Sequence, residues 1–471
     1  MSELEGRFSV LRNSANAAAA AAIEQHVRDA PDEALNRINV IDFAREHGVP
    51  VEKALDGFLH ASRLGLFEMQ WNILCPGCGG VLNSNATLQS VHQHDYMCSI
   101  CARGYEPSLD EMVEVSFTVS PRVRKIAAHT PHQLPIWEYF RQMYWASALR
   151  MPSAAEFETL MHRMVLDWTE LGPGEKGSMS VQLPPDAFVI LFEPVAHAAV
   201  FIEVQGEATR ERRELSTVFN RVQAPTGKHT LQPGPLRLAL ENRTDSRVLP
   251  VLFIANDDLH DMMGKRRNFL TAKRLLTHQT FRDLFGADTL AVDQRLKITN
   301  LTFVFTDLKA STELYERVGD LAAYDLVRAH FGVLGKVVAE QSGAVVKTIG
   351  DAVMATFPSS DRGMEAVLRM RESMRRLNDE RGREDLLLKI GIHEGPCLAV
   401  TLNERLDYFG QTVNVASRVQ GLATSQSIFA TEPVIRYEPT AELLAREGLS
   451  PVPRRCSLKG ISDELTVYEI A

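Results

Sequence analysis

The spacing of apolar and polar positions changes along the chain and predicts several different modules. In residues 36–71, apolar side chains recur at helical spacing up to Gly48, which ends one helix, and again from Pro50, which opens a second. The strand-like run "LFEMQW" follows, and together these elements have the outline of a helix-turn-helix. We therefore expect a helical, helix-turn-helix-like segment over residues 1–71.

Three further changes of pattern divide the middle of the chain. Residues 121–166 keep helical spacing and are rich in aromatic residues, which predicts a helical segment with an aromatic core. Short alternating or apolar runs, broken by Pro and Gly, predict an antiparallel β-sandwich or barrel over residues 167–256. Helical spacing returns over residues 257–297, which we expect to form a connector.

The last segment, residues 298–471, alternates strands and helices. The order is strand, helix, strand, strand, helix, strand, and the later runs "LLLKIGIH" and "CLAVTL" are predicted as separate strands. A two-residue Gly350-Asp351 turn joins two apolar runs into a hairpin. This order predicts a ferredoxin-like sheet and an α+β fold class.

Charge and composition narrow the range of partners. The 471 residues carry a formal charge of −9 and are 45% hydrophobic, as in ordinary globular proteins. An acidic chain is a poor polyanion binder, and acidic neighbours offset Lys53 and Arg63 in the second predicted helix. Nucleic acid is therefore not an expected partner, and a structural or protein-contact role is favoured. The chain shows neither a run of about 18 apolar residues nor a signal-peptide pattern, which predicts a cytoplasmic protein without a membrane partner.

Four cysteines form two pairs with the spacing of a metal site. Cys75-x2-Cys78 is followed after nineteen residues by Cys98-x2-Cys101. Two such pairs in a chain with no export signal are typical of zinc rather than disulfides, and four thiolates close a tetrahedral site. We expect a zinc ribbon over residues 72–120, with a structural Zn²⁺ that helps to fold it.

Two aspartates are the strongest candidates for a second metal site. Asp307 ends an apolar strand, and Asp351 lies at the tip of the predicted hairpin. Adjacent central strands would bring the two carboxylates together beside the loop "DLKAST", whose small residues expose backbone N–H groups. Such a pair suits magnesium and a triphosphate. Ser311 and Thr312 are better explained as N-cap residues of the following helix.

Five ordered blocks in the last segment carry a family resemblance. "FTDLKAST", "VVKTIGDAVMATF", "KIGIHEG", "LDYFGQTVNVASRV" and "SLKG" resemble, in that order, the catalytic domain of class III adenylate cyclases of the bacterial homodimeric kind. The resemblance covers about residues 298–471. The region before it resembles an uncharacterised bacterial domain found ahead of such cyclases.

The resemblance implies a role for five residues that bind metal or base. Asp307 and Asp351, with the backbone carbonyl of Leu308, match the ligands of two Mg²⁺ or Mn²⁺ ions. Lys347 and Asp407 match the pair that recognises adenine. A lysine donor and an aspartate acceptor suit adenine, whereas guanine demands the reverse pattern, so the pair favours ATP over GTP.

The resemblance also implies a reaction and an assembly. Asn414 and Arg418 match residues that orient the ribose and stabilise charge on phosphorus, and Lys459 matches a phosphate-binding lysine. The reaction is attack of the ribose 3′-oxygen on the α-phosphorus of ATP, which gives 3′,5′-cyclic AMP and pyrophosphate. The family forms head-to-tail homodimers, with the metal aspartates from one protomer and the other five side chains from its partner.

Two alternatives stay open from the sequence. One is a guanylate cyclase, which Lys347 and Asp407 disfavour. The other is a regulatory or DNA-binding protein whose cyclase domain only dimerises, which predicts degenerate catalytic positions. The regulatory ligand or protein that acts through the front modules is not indicated.

Overall fold

This computed structural model describes residues 3–91, 95–220, 226–286, 290–291, 293–309, 311–384, 386–424, 427–461 and 464–471. The chain divides into two compact units. The first unit comprises residues 1–86, 94–107 and 112–270, and the second comprises residues 87–93, 108–111 and 271–471. Their boundary falls inside the predicted connector. Within the described ranges, no helix combines the length and the apolar character needed to cross a bilayer.

The first unit begins with helices and continues into small sheets. Its helices are α1 (Glu3–Ser14), α2 (Ala17–Asp29), α3 (Val40–Glu46), α4 (Val51–Arg63), α5 (Ile136–Tyr139), α6 (Ala154–Met164) and α7 (Asp257–Gly264), with a π-helical turn at Phe140–Tyr144. Its strands are β1 (Phe67–Leu74), β2 (Val81–Asn85), β3 (Tyr96–Cys98), β4 (Arg103–Tyr105), β5 (Val113–Val119), β6 (Val165–Trp168), β7 (Lys176–Leu183), β8 (Phe188–Glu193), β9 (Ala198–Val204), β10 (Arg213–Phe219), β11 (Thr226–Leu231), β12 (Gly234–Asn242) and β13 (Val251–Ile254).

Helices α3 and α4 occupy the helix-turn-helix-like segment, and α4 buries its apolar face. Gly48 lies between them with φ +65°, a left-handed conformation that glycine adopts without strain. Gly57 allows close packing of α4 on α2, because a Cβ there would lie 2.8 Å from the Ile23 side chain. On the outer face, Lys53 pairs with Asp56 at 3.5 Å. Helix α4 is therefore part of the core of the first unit.

Strands β6 to β13 form two sheets that share one core. The orders are β10-β12-β7 and β11-β9-β8-β13-β6, and buried residues from both sheets belong to one hydrophobic cluster. Strand pairs β9/β11 and β10/β12 are parallel, so the prediction of an antiparallel module over residues 167–256 is wrong for these pairs. The reason is that the chain crosses from one sheet to the other at each step from β9 to β12. Each crossing reverses the direction of the chain, so two strands of one sheet that are separated by two crossings run parallel to each other.

The second unit is an α+β domain built on one large sheet. Its helices are α8 (Ala272–Leu276), α9 (Gln279–Phe285), α10 (Ser311–Val318), α11 (Asp320–Glu340), α12 (Ser360–Arg381), α13 (Gln411–Leu422), α14 (Glu432–Arg436) and α15 (Glu438–Arg446). Its strands are β14 (Leu296–Leu308), β15 (Ala344–Ile349), β16 (Ala352–Phe357), β17 (Leu388–Leu402), β18 (Arg405–Phe409), β19 (Ile428–Thr431), β20 (Val452–Cys456) and β21 (Leu465–Ile470). The strand order is β15-β16-β14-β17-β19-β21-β20, with β18 on β17, and the predicted α+β content is confirmed.

Strand β17 is one continuous strand where the sequence predicts two. Pro396 lies between the two predicted runs, and proline cannot donate to a ladder. Opposite Pro396, β14 has a bulge in which Thr299 and Asn300 face a single residue. The Asp110 carboxylate accepts the two bulge N–H groups at 3.1 and 3.2 Å. The proline therefore falls where no ladder hydrogen bond is needed, and the strand continues.

Close packing on β17 fixes helix α13. Gly391 faces α13, and a Cβ at this position would lie 2.3 Å from the backbone nitrogen of Gln420. Ile390 and Ile392, its neighbours in the strand, belong to the buried core on the opposite face of the sheet. Only glycine permits this approach, so the sheet sets the position of the helix that carries Asn414 and Arg418.

The half-buried His393 makes stability depend on pH. Burial lowers the pKa of His393 to about 4 from the usual 6.5, and its Nδ1 lies 2.7 Å from Thr431 Oγ1. Between pH 4 and pH 6.5 this histidine binds more protons in the unfolded chain than in the folded one. The stabilising contribution of the neutral imidazole is therefore complete above about pH 6.5 and is lost as pH falls towards 4. We expect His393→Gln to reduce the loss of unfolding free energy between pH 7 and pH 5. Denaturant titrations at both pH values measure this loss, with the exposed His132→Gln as control. An equal loss of unfolding free energy in the two variants would contradict the prediction.

Candidate active site and metal centre

The two candidate metal aspartates lie on adjacent elements of the large sheet. Asp307 is the penultimate residue of β14 and stands opposite Lys389 of β17. Asp351 lies in the turn between β15 and β16, and β16 pairs with β14. Asp351 Oδ2 accepts the N–H of Leu308 at 3.2 Å. The hairpin turn is therefore held against the end of β14, beside Asp307.

The proximity of these carboxylates changes their acidity. Burial raises the pKa of Asp307, the charge of Asp351 raises it further, and Lys389 lowers it. Two neighbouring carboxylates repel each other unless a cation or a proton compensates them. Carboxylate and carbonyl oxygens are the donors that Mg²⁺ and Mn²⁺ prefer. The residues present, Asp307, Asp351 and the Leu308 carbonyl, thus fit the divalent cation that the sequence predicts.

The loop after Asp307 differs from the expectation of free backbone donors. The N–H of Lys309 donates to the Leu387 carbonyl at 2.8 Å, and the N–H of Leu308 is used by Asp351. These two amides are therefore not free for a phosphate in this conformation. Ala310 and the Thr312 side chain, named in the same prediction, lie outside the described residues.

His330 is a neighbour of this site that the sequence did not indicate. It lies on α11, is fully buried, and its ring is close to the Asp351 backbone. Burial lowers the pKa of His330 to about 4, so the imidazole is neutral near pH 7. Its place among the apolar residues of α11 is typical of a core histidine. The Asp351 turn therefore rests on an uncharged buried ring.

Lys347 and Asp407 form a direct ion pair. Lys347 lies on β15 and Asp407 on β18, and Lys347 Nζ is 2.5 Å from Asp407 Oδ2. The lysine side chain is 42% exposed and the aspartate side chain 10% exposed. Asp407 Oδ1 also accepts the N–H of Tyr408 at 2.8 Å, which orients the carboxylate. A donor and an acceptor are thus held together where a ligand can reach the lysine.

Arg282 connects the two strands that carry this pair. It lies on α9, and its Nη2 donates to the Leu406 carbonyl at 2.7 Å and reaches the Val346 carbonyl at 3.5 Å. These carbonyls belong to the residues that immediately precede Asp407 and Lys347. The sequence placed Arg282 in a connector, and only the fold brings it to strands 64 and 124 residues away.

The remaining predicted residues lie on exposed surfaces of the same unit. Asn414 and Arg418 are exposed on one face of α13, one helical turn apart, and Lys459 is exposed in the turn after β20. Within the described part of the chain, no hydrogen bond or ion pair joins these three to Asp307 or Asp351.

We call Asp307, Leu308 and Asp351 the metal half of the site. The substrate half contains Lys347, Asp407, Asn414, Arg418 and Lys459.

The four cysteines lie together in the first unit. Cys75 and Cys78 follow β1, Cys98 ends β3, and Cys101 lies before β4. Their sulfur atoms all lie within 4.8 Å of one another, with Cys75–Cys101 and Cys78–Cys98 Sγ distances of 3.6 Å. A tetrahedral zinc with Zn–S bonds of 2.3 Å would need sulfur–sulfur distances of about 3.8 Å. The cluster could therefore hold a metal ion such as zinc.

Backbone amides and a glycine shape this cluster. The N–H groups of Cys78 and Cys101 donate to the sulfurs of Cys75 and Cys98, each at 3.5 Å, and such donors favour thiolates. Gly77 allows the close approach, because a Cβ there would lie 2.9 Å from Cys101 Sγ. The two turns are therefore arranged around the sulfurs in the way that a metal knuckle requires.

Comparison with protein families decides the membership of the chain. A model described as a family of unknown function, DUF5939, matches residues 1–283, which is more than half of the chain. The chain belongs to the DUF5939 family. A second model, described as the adenylate and guanylate cyclase catalytic domain, matches residues 294–467. This DUF5939 protein therefore carries a class III adenylate/guanylate cyclase catalytic domain, which confirms the resemblance at the level of the domain.

Individual relatives match the same domain. An adenylate cyclase of Anabaena cylindrica is 29% identical over 185 residues, covering 36% of this chain and 36% of that protein. An adenylate cyclase of Mycosarcoma maydis is 32% identical over 177 residues, covering 33% of this chain and 7% of that protein. The chain thus spans about a third or less of the length of these relatives. The crystal structure of the adenylyl cyclase CyaB from P. aeruginosa is 23% identical, with a TM-score of 0.33, over 38% of this chain and 96% of that chain.

Proposed function

We propose that this chain is an adenylate cyclase that converts ATP to 3′,5′-cyclic AMP and pyrophosphate. The observation that carries this proposal is the pairing of Lys347 Nζ with Asp407 Oδ2 at 2.5 Å, in the unit that also carries the two neighbouring carboxylates. The lysine can donate to a ring nitrogen of adenine, and the aspartate can accept from its exocyclic amine. In the same orientation guanine would present its ring N1–H donor to the lysine and its O6 acceptor to the aspartate, at a cost of roughly 1 to 3 kcal/mol for each mismatched contact.

The metal half explains where the triphosphate would react. Asp307, Asp351 and the Leu308 carbonyl would hold two Mg²⁺ or Mn²⁺ ions. When bound, these ions lower the pKa of the ribose 3′-hydroxyl and neutralise charge on the phosphates. Burial raises the pKa of Asp307 and the charge of Asp351 raises it further, and a cation bound between the two carboxylates would compensate their repulsion.

The substrate half positions the reacting atoms. Asn414 orients the ribose so that its 3′-oxygen is in line with the α-phosphorus, and Arg418 stabilises the negative charge that develops there. Lys459 binds the phosphates of the leaving pyrophosphate. Gly391 supports this arrangement, because it fixes α13 and hence the face that carries Asn414 and Arg418.

Among the described residues, neither aspartate has a hydrogen bond or ion pair with Asn414, Arg418 or Lys459, which supports a shared site in a homodimer. One protomer contributes the metal half and its partner contributes the substrate half. Ile349, next to the metal turn, is 56% exposed, and Phe409, two residues after Asp407, is 65% exposed. Large apolar residues exposed at these positions suit a contact surface. The same hairpin would then serve both sites of the dimer, with Asp351 in one and Lys347 in the other.

The experiment that tests this function uses the purified full-length chain with Mg²⁺ or Mn²⁺ and either ATP or GTP. We expect cyclic AMP from ATP with a kcat/KM at least about tenfold above that for cyclic GMP formation from GTP, because two polar contacts discriminate the bases. A folded, dimeric protein that makes no cyclic AMP with either metal would support a non-catalytic dimerisation domain. Preferential formation of cyclic GMP would support a guanylate cyclase.

The cysteine cluster binds a structural zinc ion in this proposal. Cys75→Ser should lower the zinc content from about one ion per chain to near zero and lower the unfolding temperature, because three thiolates hold zinc poorly. Metal analysis and thermal unfolding measure both effects. Cys456→Ser is the matched control, since this cysteine lies in the second unit, away from the cluster, where its sulfur donates to the Leu465 carbonyl at 3.7 Å. Sub-stoichiometric zinc in the unmodified protein would contradict the assignment.

Arg282 acts as a positioning residue for the adenine pair. Arg282→Met removes the donors to the Leu406 and Val346 carbonyls, so the spacing of β15 and β18 is no longer fixed. We expect roughly a tenfold loss in kcat/KM for ATP, mainly through KM, and partial recovery in Arg282→Lys. Steady-state kinetics measure this against Arg405→Met, an exposed arginine next to Leu406. Equal losses in the two methionine variants would show that Arg282 has no special role.

A further inference from the structure

A cleft in the first unit has no part in the proposed reaction. It has a volume of about 290 Å³ and lies between the segment around Arg37, the π-helical turn and Arg267. Its polar lining also includes Glu33, Asn36, Arg141, Gln142, Trp145 and Ser147. Such a volume is at the lower end of that of small-molecule sites, which begin at about 300 Å³.

Two of the three arginines in the cleft already have carboxylate partners. Arg141 pairs with Glu33 at 3.0 Å and with Glu138 at 2.8 Å. Arg267 pairs with Asp42 at 2.6 Å. Their charges are therefore compensated within the unit.

Arg37 differs, because its charge has no such partner. The residue is only 7% exposed, and its Nη1 donates to the Met143 carbonyl at 2.5 Å. No carboxylate of the described residues lies within 4 Å of its guanidinium. Glu114 affects it from further away, but the oxygens of Glu114 accept from Asn72, Ser147 and the Ala148 N–H. An arginine keeps its charge at any ordinary pH, so this buried guanidinium has no direct ion-pair partner among the described residues, although the charge of Glu114 favours it from a longer distance.

Several N–H donors in the same cleft also lack an acceptor. Nε of Arg37, Nε of Arg141 and Nε1 of Trp145 are buried, and none has a hydrogen-bond partner among the described residues. Buried donors are nearly always satisfied in folded proteins, by the protein, by water or by a ligand. Three unsatisfied donors, one of them on a guanidinium without a direct carboxylate contact, favour an acceptor with negative charge as the missing group.

The backbone at Arg37 is also unusual. Its φ is +47°, in the left-handed region that long side chains rarely adopt, and its N–H donates to Thr118 Oγ1 at 3.0 Å. The surroundings therefore hold this residue in a strained conformation. Such residues persist where the structure around them over-determines their position, and they cluster at ligand sites.

We propose that this cleft binds a small organic or inorganic oxyanion, carrying a carboxylate or a phosphate group, with Arg37 as its main partner. The guanidinium supplies the charge and a planar set of donors, and the Trp145 indole supplies one further N–H. The inference uses the first unit alone and does not depend on the catalytic proposal.

The test measures binding of two defined probes, inorganic phosphate and succinate, to the full-length chain by calorimetry at constant ionic strength. We expect saturable binding of at least one probe, weakened at least about tenfold in Arg37→Met and severalfold in Trp145→Phe. A response to phosphate assigns a phosphate ligand, and a response to succinate assigns a carboxylate. Arg122→Met, which changes an exposed arginine of the same unit, should bind as the unmodified chain does.

Thermal unfolding measurements distinguish a variant that has lost probe binding from a variant that folds poorly. Without a probe, a cooperative unfolding transition shows that Arg37→Met is folded, although it loses the hydrogen bond to the Met143 carbonyl. Trp145→Phe removes one donor and leaves the Arg37 backbone unchanged. Failure of both probes to bind at about 10 mM, or equal binding by the unmodified chain and both variants, would overturn the proposal.

Discussion

Asp351→Asn is expected to reduce cyclic AMP formation by on the order of 10³-fold while the chain stays folded and dimeric. The asparagine oxygen can still accept the Leu308 N–H, so the turn keeps its anchor at the end of β14. What the variant loses is a negative charge beside Asp307. The variant should therefore lose activity because metal binding and charge neutralisation in the reaction are impaired, while its fold is unchanged.

The stability of this variant distinguishes the metal role from a structural one. Burial raises the pKa of Asp307 and the charge of Asp351 raises it further; Asp351→Asn removes only this second contribution, the repulsion between the two carboxylates in the metal-free fold. Without divalent ions the variant should unfold at the same or a higher temperature than the unmodified chain. Addition of Mg²⁺ or Mn²⁺ should stabilise the unmodified chain and not the variant.

Thermal unfolding with chelator or metal, together with a cyclic AMP assay, measures both effects. Asp325→Asn is a suitable control because this aspartate is exposed on α11. Near-normal turnover by Asp351→Asn would remove the basis of the metal assignment.

The second large effect concerns the choice of base. Lys347→Glu combined with Asp407→Cys should shift the preference from ATP towards GTP, because the donor becomes an acceptor and the carboxylate that accepts from adenine is removed. Each mismatched contact is worth roughly 1 to 3 kcal/mol, so kcat/KM for ATP should fall by about 10²-fold or more. The change also removes the 2.5 Å ion pair between β15 and β18.

Steady-state kinetics with both nucleotides measure the ratio of the two kcat/KM values. Lys336→Glu, at an exposed lysine of α11, controls for the change of charge. An unchanged preference for ATP in a folded double variant would show that groups other than Lys347 and Asp407 read the base.

Local pattern was sufficient for part of the site. Asp307 at a strand end and Asp351 in a two-residue turn could be placed side by side from periodicity and from the order of strands. Asn414 and Arg418 could be placed on one helix face from their spacing alone. These inferences succeed because they depend on contacts that are short in sequence or set by one sheet.

Other features depend on contacts that no local pattern contains. Arg282 donates to the Leu406 carbonyl, 124 residues further along the chain, and the sequence pattern of its own helix predicts only a connector. The continuity of β17 through Pro396 depends on a bulge in β14 and on Asp110, far away in the sequence. The parallel pairs of the first unit follow from crossings between its sheets, which alternating apolar residues do not encode.

In the proposed homodimer, two copies of the chain complete each active site, one with its metal half and the other with its substrate half. Asp351→Asn and Arg418→Ala should each be inactive as homodimers. A mixed dimer, co-expressed with two tags and purified through both, contains one site with an intact metal half and an intact substrate half. We predict that it regains about half of the unmodified activity, since one of two sites is complete. A mixed dimer no more active than either variant alone would contradict the shared site.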